Sequence, residues 1–156
     1  MRITLMQTGK TRDSFIREGV EQFRKRVEKY VPFQIVTVPD LKNTRSMTMK
    51  EVQKKEGEQQ LRRLKQGSFL MLLDERGETH DSIAFARQLQ SLESRTAHLV
   101  FLIGGPYGFS EELYTRAQAR LSLSRLTFSH QLVRVIFMEQ LYRAFTILRG
   151  EPYHHA

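Results

Sequence analysis

The chain of 156 residues is 40% hydrophobic, carries a formal net charge of +8 and contains no cysteine. This length suffices for one ordinary core, so we predict a single domain over residues 1–156, and the lack of cysteine excludes disulfides, thiolate nucleophiles and cysteine-based zinc sites. The sequence opens with no signal peptide and holds no apolar run of membrane-spanning length, which predicts a cytoplasmic protein without a membrane partner.

Strand and helix patterns alternate along the chain. Runs without polar alternation, such as 68–73 and 97–103, are typical of strands buried on both faces of a parallel sheet. Ser110 followed by two glutamates is a good helix start, and Gly150 is a good helix stop. We therefore predict an α/β fold with a mostly parallel sheet and helices on both faces. The predicted strands are 3–7, 33–38, 68–73, 97–103 and 121–124, and the predicted helices are 12–30, 47–65, 82–92, 110–119 and 131–148.

The positive charge is confined to the first part of the chain. Residues 1–65 contain 16 Lys and Arg against 8 Asp and Glu, whereas residues 66–156 contain nine of each. Such an excess favours a polyanionic partner such as nucleic acid. Runs such as Arg24-Lys25-Arg26 could contact phosphates, and the alternative is that they form solvated helix faces.

The last predicted helix is apolar over most of its circumference, more than one core-facing stripe requires. Either its own domain encloses it, or it also packs against a second subunit; because a chain of this size has little depth, we expect a homodimer. The apolar residues are Leu132, Val133, Val135, Ile136, Phe137, Met138, Leu141, Tyr142, Ala144, Phe145, Ile147 and Leu148.

Two predicted strand ends could carry chemistry, at 72–77 and at 103–110, since ligands of open parallel sheets bind beyond the carboxyl ends of the strands. The second is a glycine-rich turn that leads into a helix. Its glycine spacing does not fit the dinucleotide fingerprint, and no phosphate-loop motif is present. The histidines lack the spacing of zinc ligands, so no metal is predicted.

Four segments carry a specific resemblance to one protein family. They are 102–108 (LIGGPYG), 121–130 (LSLSRLTFSH), 139–145 (EQLYRAF) and 150–155 (GEPYHH). In order and spacing they resemble the RlmH family of SPOUT methyltransferases, and residues 55–59 and the first strand fit as well. The similarity spans nearly the whole chain. It implies a Rossmann-like α/β fold whose C-terminal part threads through a loop to form a trefoil knot, a rare exception to the usual threading rules.

The resemblance further implies a homodimer that binds S-adenosyl-L-methionine in the knot and methylates N3 of a pseudouridine in large-subunit ribosomal RNA on assembled ribosomes. Backbone groups and apolar side chains would hold the adenine of the cofactor. The implied cofactor-binding residues are Leu73, Gly104, Leu123, Ser124, Arg125, Leu126, Thr127 and Phe128.

For catalysis the resemblance points to Tyr153, His154 and Arg143. Histidine could accept or relay the N3 proton, and arginine could stabilise negative charge that develops on the pyrimidine oxygens. Arg143 also lies four residues after Glu139, so an intrahelical ion pair is the alternative for it. Two other functions stay open: a non-catalytic RNA- or ribosome-binding factor with this fold, and a SPOUT methyltransferase that acts on transfer RNA.

Overall fold

The computed structural model describes residues 1–155, in which strands and helices alternate as the sequence predicts. Ser110 caps the fourth helix, because its side chain accepts a hydrogen bond from the Leu113 N–H. The elements are β1 (Arg2–Thr8), α1 (Ser14–Val27), β2 (Phe33–Val38), α2 (Met49–Arg62), β3 (Phe69–Thr79), α3 (Ser82–Glu93), β4 (His98–Ile103), α4 (Glu111–Arg116), β5 (Ala119–Ser122) and α5 (Leu132–Leu148).

The five strands form one parallel sheet in the order β2-β1-β4-β3-β5. Every residue of β4 after His98 is buried, because the strand lies in the middle of the sheet with helices on both sides. This explains its apolar run without alternation. The predicted α/β fold class is confirmed.

Each face of the sheet has its own core. On one face, alternate β4 residues such as Phe101 pack with α1, α3 and α5, for example against Phe137. On the other face, Val100 and Leu102 pack with Leu113 of α4. The described residues include no helix long and apolar enough to cross a membrane.

The third strand differs most from its predicted bounds, and β5 spans Ala119–Ser122 rather than 121–124. The sequence predicts a strand that ends at residue 73, but β3 continues to Thr79 and its pairing with β5 is interrupted. Leu73 and Glu78 both pair with Leu121, so residues 74–77 loop out of the ladder. Bulges of this kind re-aim side chains beside functional sites.

Candidate active site

A cavity of about 430 Å³ lies at the carboxyl edge of the sheet, where three segments meet: the end of the first part of β3, the loop after β4, and the chain between β5 and α5. This edge is where open parallel sheets bind ligands, and the volume suits a small ligand. The lining residues are Leu73, Asp74, Glu75, Ile103, Gly104, Gly105, Pro106, Gly108, Phe109, Tyr114, Leu121, Leu123, Ser124, Leu126, Thr127, Phe128, Ser129, His130 and Val133.

The loop after β4 needs its glycines. A Cβ atom on Gly104 would lie 2.9 Å from the Phe109 ring, and one on Gly105 would lie 2.8 Å from both carboxylate oxygens of Glu56. Gly108 has a φ of 78°, in the left-handed region that favours glycine, and its N–H donates to the Gly105 carbonyl at 3.2 Å. The backbone of this loop therefore borders the cavity closely.

Helix α2 holds the same loop from behind. The Gln53 amide donates to the Tyr107 carbonyl, and the Glu56 carboxylate accepts a hydrogen bond from the Gly105 N–H at 3.3 Å. Burial raises the pKa of the Glu56 carboxyl, the Gly105 N–H lowers it, and the nearby Asp40 raises it. The shape of the glycine loop thus depends on a buried acid that lies 49 residues away in sequence.

The bulge in β3 places two carboxylates at the cavity. Asp74 accepts hydrogen bonds from the Tyr114 hydroxyl at 2.7 Å and from the Arg76 N–H at 3.1 Å. Glu75 accepts from the Thr127 hydroxyl on the opposite segment. Burial, and then the hydrogen bond to Asp74, raise the pKa of Tyr114 to about 12, so this phenol stays protonated as a donor.

The segment after β5 forms a further wall of the cavity. The Ser122 hydroxyl donates to the Ser124 carbonyl at 2.9 Å, and the Ser124 hydroxyl accepts from the Leu126 N–H at 3.0 Å. Seven of the eight residues predicted to bind the cofactor line the cavity. The eighth, Arg125, is exposed and is not among the lining residues.

The start of α5 is fastened to the end of β1. The Gln131 amide donates to the Lys10 carbonyl at 3.0 Å. The Arg134 guanidinium, which is completely buried, donates to the Thr8 and Gly9 carbonyls at 2.7 and 2.9 Å. Burial lowers the pKa of Arg134 to about 10. After β5, at one edge of the sheet, the chain therefore returns across the carboxyl ends of β3 and β4 to reach β1.

The three predicted catalytic residues lie together, around the Glu139 carboxylate. Arg143 forms the intrahelical ion pair with Glu139 that the sequence spacing offers as an alternative. The Tyr153 hydroxyl donates to the Glu139 carboxylate at 2.9 Å. Arg143 also contacts His154 Nδ1 at 3.1 Å and lies over the Tyr153 ring, 4.7 Å from its centroid. Burial, and then Glu139, raise the pKa of Tyr153. We call Glu139, Arg143, Tyr153 and His154 the C-terminal cluster.

The cavity lies at the start of α5, and the C-terminal cluster lies along its middle and second half. The helix borders the cavity at Val133, and Arg143 comes ten residues later, about 15 Å along the helix axis at 1.5 Å per residue. None of the cluster residues lines the cavity of its own chain. The residues predicted to bind the cofactor and those predicted to act on the substrate are therefore not in contact within one chain.

Sequence reasoning missed the contributions of Glu56, Asp74 and Tyr114. Their roles come from contacts across 40 to 49 residues of sequence. For Glu56 one local signal exists: Gln53, Glu56 and Gln60 are spaced to share one face of a helix, and a polar face that continues across a buried helix indicates polar partners.

The basic run on α1 is largely occupied within the molecule. Arg24 forms ion pairs with Glu21 and Glu28, and Arg26 lies over the rings of Phe23 and Tyr142. Lys25 between them is exposed. Arg24 and Arg26 therefore fit the alternative that the run belongs to a helix face rather than to a phosphate-binding surface. Lys25 is the member of the run whose side chain is exposed to solvent.

Similarity to known proteins extends over nearly the whole chain. The family described as "Predicted SPOUT methyltransferase" matches residues 1–154. Similar proteins named "Ribosomal RNA large subunit methyltransferase H" include those of Flavobacterium johnsoniae, 47% identical over 99% of this chain and 99% of the relative, and Parabacteroides distasonis, 44% identical over the same shares. That of Cytophaga hutchinsonii is 45% identical over 99% of this chain and all of the relative. Within residues 1–155, no group of three or more His, Asp or Glu side chains could hold a metal ion.

Proposed function

We propose that this chain, which belongs to the SPOUT methyltransferase family, methylates N3 of a pseudouridine in large-subunit ribosomal RNA with S-adenosyl-L-methionine as the methyl donor. The observation that carries the proposal is that seven of the eight residues predicted to bind the cofactor line one cavity. The proposed substrate follows the names of the relatives, which state large-subunit ribosomal RNA, and we propose that the protein works with ribosomes in the cytoplasm.

The lining of the cavity suits this methyl donor in its chemistry. Its walls are mostly apolar, as an adenine ring requires, and the glycine loop offers backbone groups to polar edges. Its charged lining residues, Asp74 and Glu75, suit a ligand with cationic groups. When bound, S-adenosyl-L-methionine supplies an electrophilic methyl group on a positively charged sulfur.

We also propose that the segment 121–130 and α5 form the trefoil knot. Two observations support this: β5 is the edge strand beside β3, and α5 begins with hydrogen bonds from Gln131 and Arg134 to the chain just after β1. Between these points the chain must pass the loops that follow β3 and β4. Arg134 also donates to the His130 carbonyl at 3.0 Å, which fixes the turn into the helix.

A homodimer would bring the two parts of the site together. One face of α5 remains only partly covered by its own chain: Leu132 is 38% exposed, and Ile136, Arg143 and Ile147 on the same face are half-buried. Because the C-terminal cluster lies away from the cavity of its own chain, we propose that the cluster of one protomer faces the cavity of its partner across this helix.

Within the cluster, the hydrogen bonds favour a donor role for His154. A guanidinium can only donate, so Arg143 requires Nδ1 of His154 to accept, and the neutral ring then carries its proton on Nε2. That N–H would donate to a pyrimidine oxygen as negative charge develops there. Arg143 would act on the same charge, and a water molecule would accept the N3 proton.

The basic first part of the chain would contact RNA. Of the Lys and Arg residues in 1–65, Arg24 alone has a carboxylate within 4.0 Å, and exposed side chains such as Lys42, Arg45, Arg62 and Arg63 are therefore open to phosphates. Neutralised phosphates release counterions, so RNA binding is expected to weaken steeply with salt.

The test is transfer of a radiolabelled methyl group from S-adenosyl-L-methionine to ribosomes that lack the modification, followed by nucleoside analysis of large-subunit RNA. We expect label in N3-methylpseudouridine, and less with free RNA than with assembled ribosomes. His154→Ala is expected to lower the transfer rate about 100-fold, the typical loss for one donor to a developing oxyanion, with cofactor affinity unchanged.

The other outcomes separate the alternatives. Cofactor binding without label on ribosomes would contradict the ribosomal substrate and favour transfer RNA. Failure to bind the cofactor at all would favour a non-catalytic RNA-binding factor. Undiminished transfer by His154→Ala would remove that residue from the mechanism.

A further inference from the structure

The charge of the cavity is opposite to that of the protein. The whole chain has 25 Lys and Arg against 17 Asp and Glu. Yet among the described residues that line the cavity there is no Lys or Arg, and the two formally charged side chains, Asp74 and Glu75, are both acidic. The formally charged side chains in the described lining of the cavity are thus acidic, although the chain as a whole is basic.

Neither carboxylate is neutralised by an ion pair. Over residues 1–155, no Lys, Arg or His nitrogen lies within 4.0 Å of a carboxylate oxygen of Asp74 or Glu75. Their hydrogen-bond partners are neutral: the Tyr114 hydroxyl and the Arg76 backbone N–H for Asp74, and the Thr127 hydroxyl for Glu75. These donors fix the carboxylates in place without cancelling their charge.

Their position makes the pair part of the pocket. Asp74 is half-buried, and its partner Tyr114 packs edge-on against Phe109, another lining residue. Glu75 joins the β3 bulge to the segment after β5 through Thr127. The nearby cations, Arg76 and Arg120, lie around Tyr114 and form no ion pair with either carboxylate. A cationic group on a ligand in this cavity would therefore meet carboxylates that no ion pair within the described residues neutralises.

We infer that Asp74 and Glu75 make the pocket selective for charge, so that it holds the cationic methyl donor more tightly than the spent, uncharged thioether. This inference rests on the proposed function. S-Adenosyl-L-methionine has one more positive charge than S-adenosyl-L-homocysteine, and that charge is on the sulfur. When the methyl group is transferred, the sulfur loses its positive charge. The attraction between the ligand and both carboxylates would then weaken, which would favour release of the product.

The experiment is calorimetric measurement of three dissociation constants: for S-adenosyl-L-methionine, for S-adenosyl-L-homocysteine, and for sinefungin, in which an amine-bearing carbon replaces the sulfonium. The variants are Asp74→Asn, Glu75→Gln and the double variant. Each amide keeps an oxygen that can accept from Tyr114 or Thr127 while it removes the charge. Glu78→Gln is the matched control, because Glu78 is on the same strand, has a side chain 78% exposed and does not line the cavity.

We expect the wild-type protein to prefer both cationic ligands over the thioether. In the double variant the ratio of the two affinities should fall about fivefold, which corresponds to the upper end of the interaction energies of partly exposed ion pairs. In Glu78→Gln the ratio should not change. High salt should reduce the preference of the wild type and leave that of the double variant nearly constant.

The readout is a ratio of affinities, which a merely structural role would not move. If the double variant weakens all three ligands equally, or keeps the wild-type preference, the charge inference is overturned while the cofactor assignment stands. If the wild-type protein binds none of the three ligands, the proposed function fails, and this inference fails with it.

Discussion

Two arginines on α5 have opposite surroundings. Arg134, near the start of the helix, is completely buried, and its partners are neutral oxygens: the carbonyls of Thr8, Gly9 and His130, and the Thr11 hydroxyl. Arg143, nine residues later, keeps a quarter of its side chain exposed and contacts ionisable partners, the Glu139 carboxylate and the His154 ring.

This difference gives Arg134 a structural role and is consistent with the proposed role of Arg143 toward a substrate. The Arg134 guanidinium donates to buried carbonyls, which would be left without a donor if these bonds were broken, at a large cost in free energy. The partners of Arg143 are partly exposed to solvent, and an ion pair that solvent still reaches contributes little to stability. Arg143 can therefore exchange a partner for a substrate oxygen, whereas Arg134 holds the wall of the cavity in place.

The largest effect is expected from Arg134→Met. It keeps much of the side-chain volume but leaves several buried oxygens without a donor, which should lower the free energy of unfolding by about 3 kcal/mol or more. Urea denaturation monitored by circular dichroism measures it. Arg143→Met is the matched control and should cost less than about 1 kcal/mol. Equal losses in the two variants would contradict the distinction between the arginines.

A smaller effect is expected from Glu139→Gln, which tests the C-terminal cluster. The amide can still accept from Tyr153 but loses the charge that orients Arg143. We expect kcat on ribosomes to fall about tenfold, roughly 1.4 kcal/mol in the barrier, with the dissociation constant of S-adenosyl-L-methionine unchanged. Glu21→Gln, which removes a partner of Arg24 on the surface of α1, should leave both quantities at wild-type values. A weakened cofactor affinity in Glu139→Gln would show that the cluster and the cavity are not separate.

The smallest effect concerns pH. Burial, and then neighbouring cations, lower the pKa values of His98 and His130 from 6.5. The unfolded chain then binds more protons than the folded one as pH falls through 6.5, so these residues make the free energy of unfolding decrease with falling pH. Glu56 acts in the opposite sense, because its raised pKa makes the folded state bind a proton more readily.

Urea denaturation from pH 7.5 to 5.5 at constant ionic strength measures this slope, with Glu56→Gln as the background that removes the opposing contribution. His130→Gln, which removes the histidine at the cavity end of α5, should make the free energy of unfolding depend less steeply on pH. A stability that rises as pH falls, in the Glu56→Gln background, would contradict the assignment of both histidines.

Elements with local signals were predictable from the sequence. The Ser110 cap and the apolar run of β4 depend on residues next to each other in the chain, and so does the helix stop at Gly150, whose φ is 66°. The resemblance also supplied seven residues that line the cavity. Helix ends were less exact: α1 spans Ser14–Val27 rather than 12–30.

What could not be predicted depends on partners distant in sequence. The β3 bulge follows from the register of β5, since Leu121 pairs on both sides of the looped residues. Arg134 contradicts the usual rule that arginines are exposed, and only the carbonyls at the end of β1, more than 120 residues earlier, explain its burial. The neighbourhood of Tyr153 and Glu139 likewise requires the tail to fold back along α5.

The bonds from Arg134 to the end of β1 also set an order of folding. The bond to Gly9 closes a loop of 125 residues, and closing a flexible loop of that length costs about 4 kcal/mol of chain entropy before any contact is gained. These bonds are therefore expected to form only after the sheet has brought the two regions near each other. The ligand pocket would then be among the last parts of the molecule to assemble, and refolding would recover strand and helix content before it recovers affinity for a ligand.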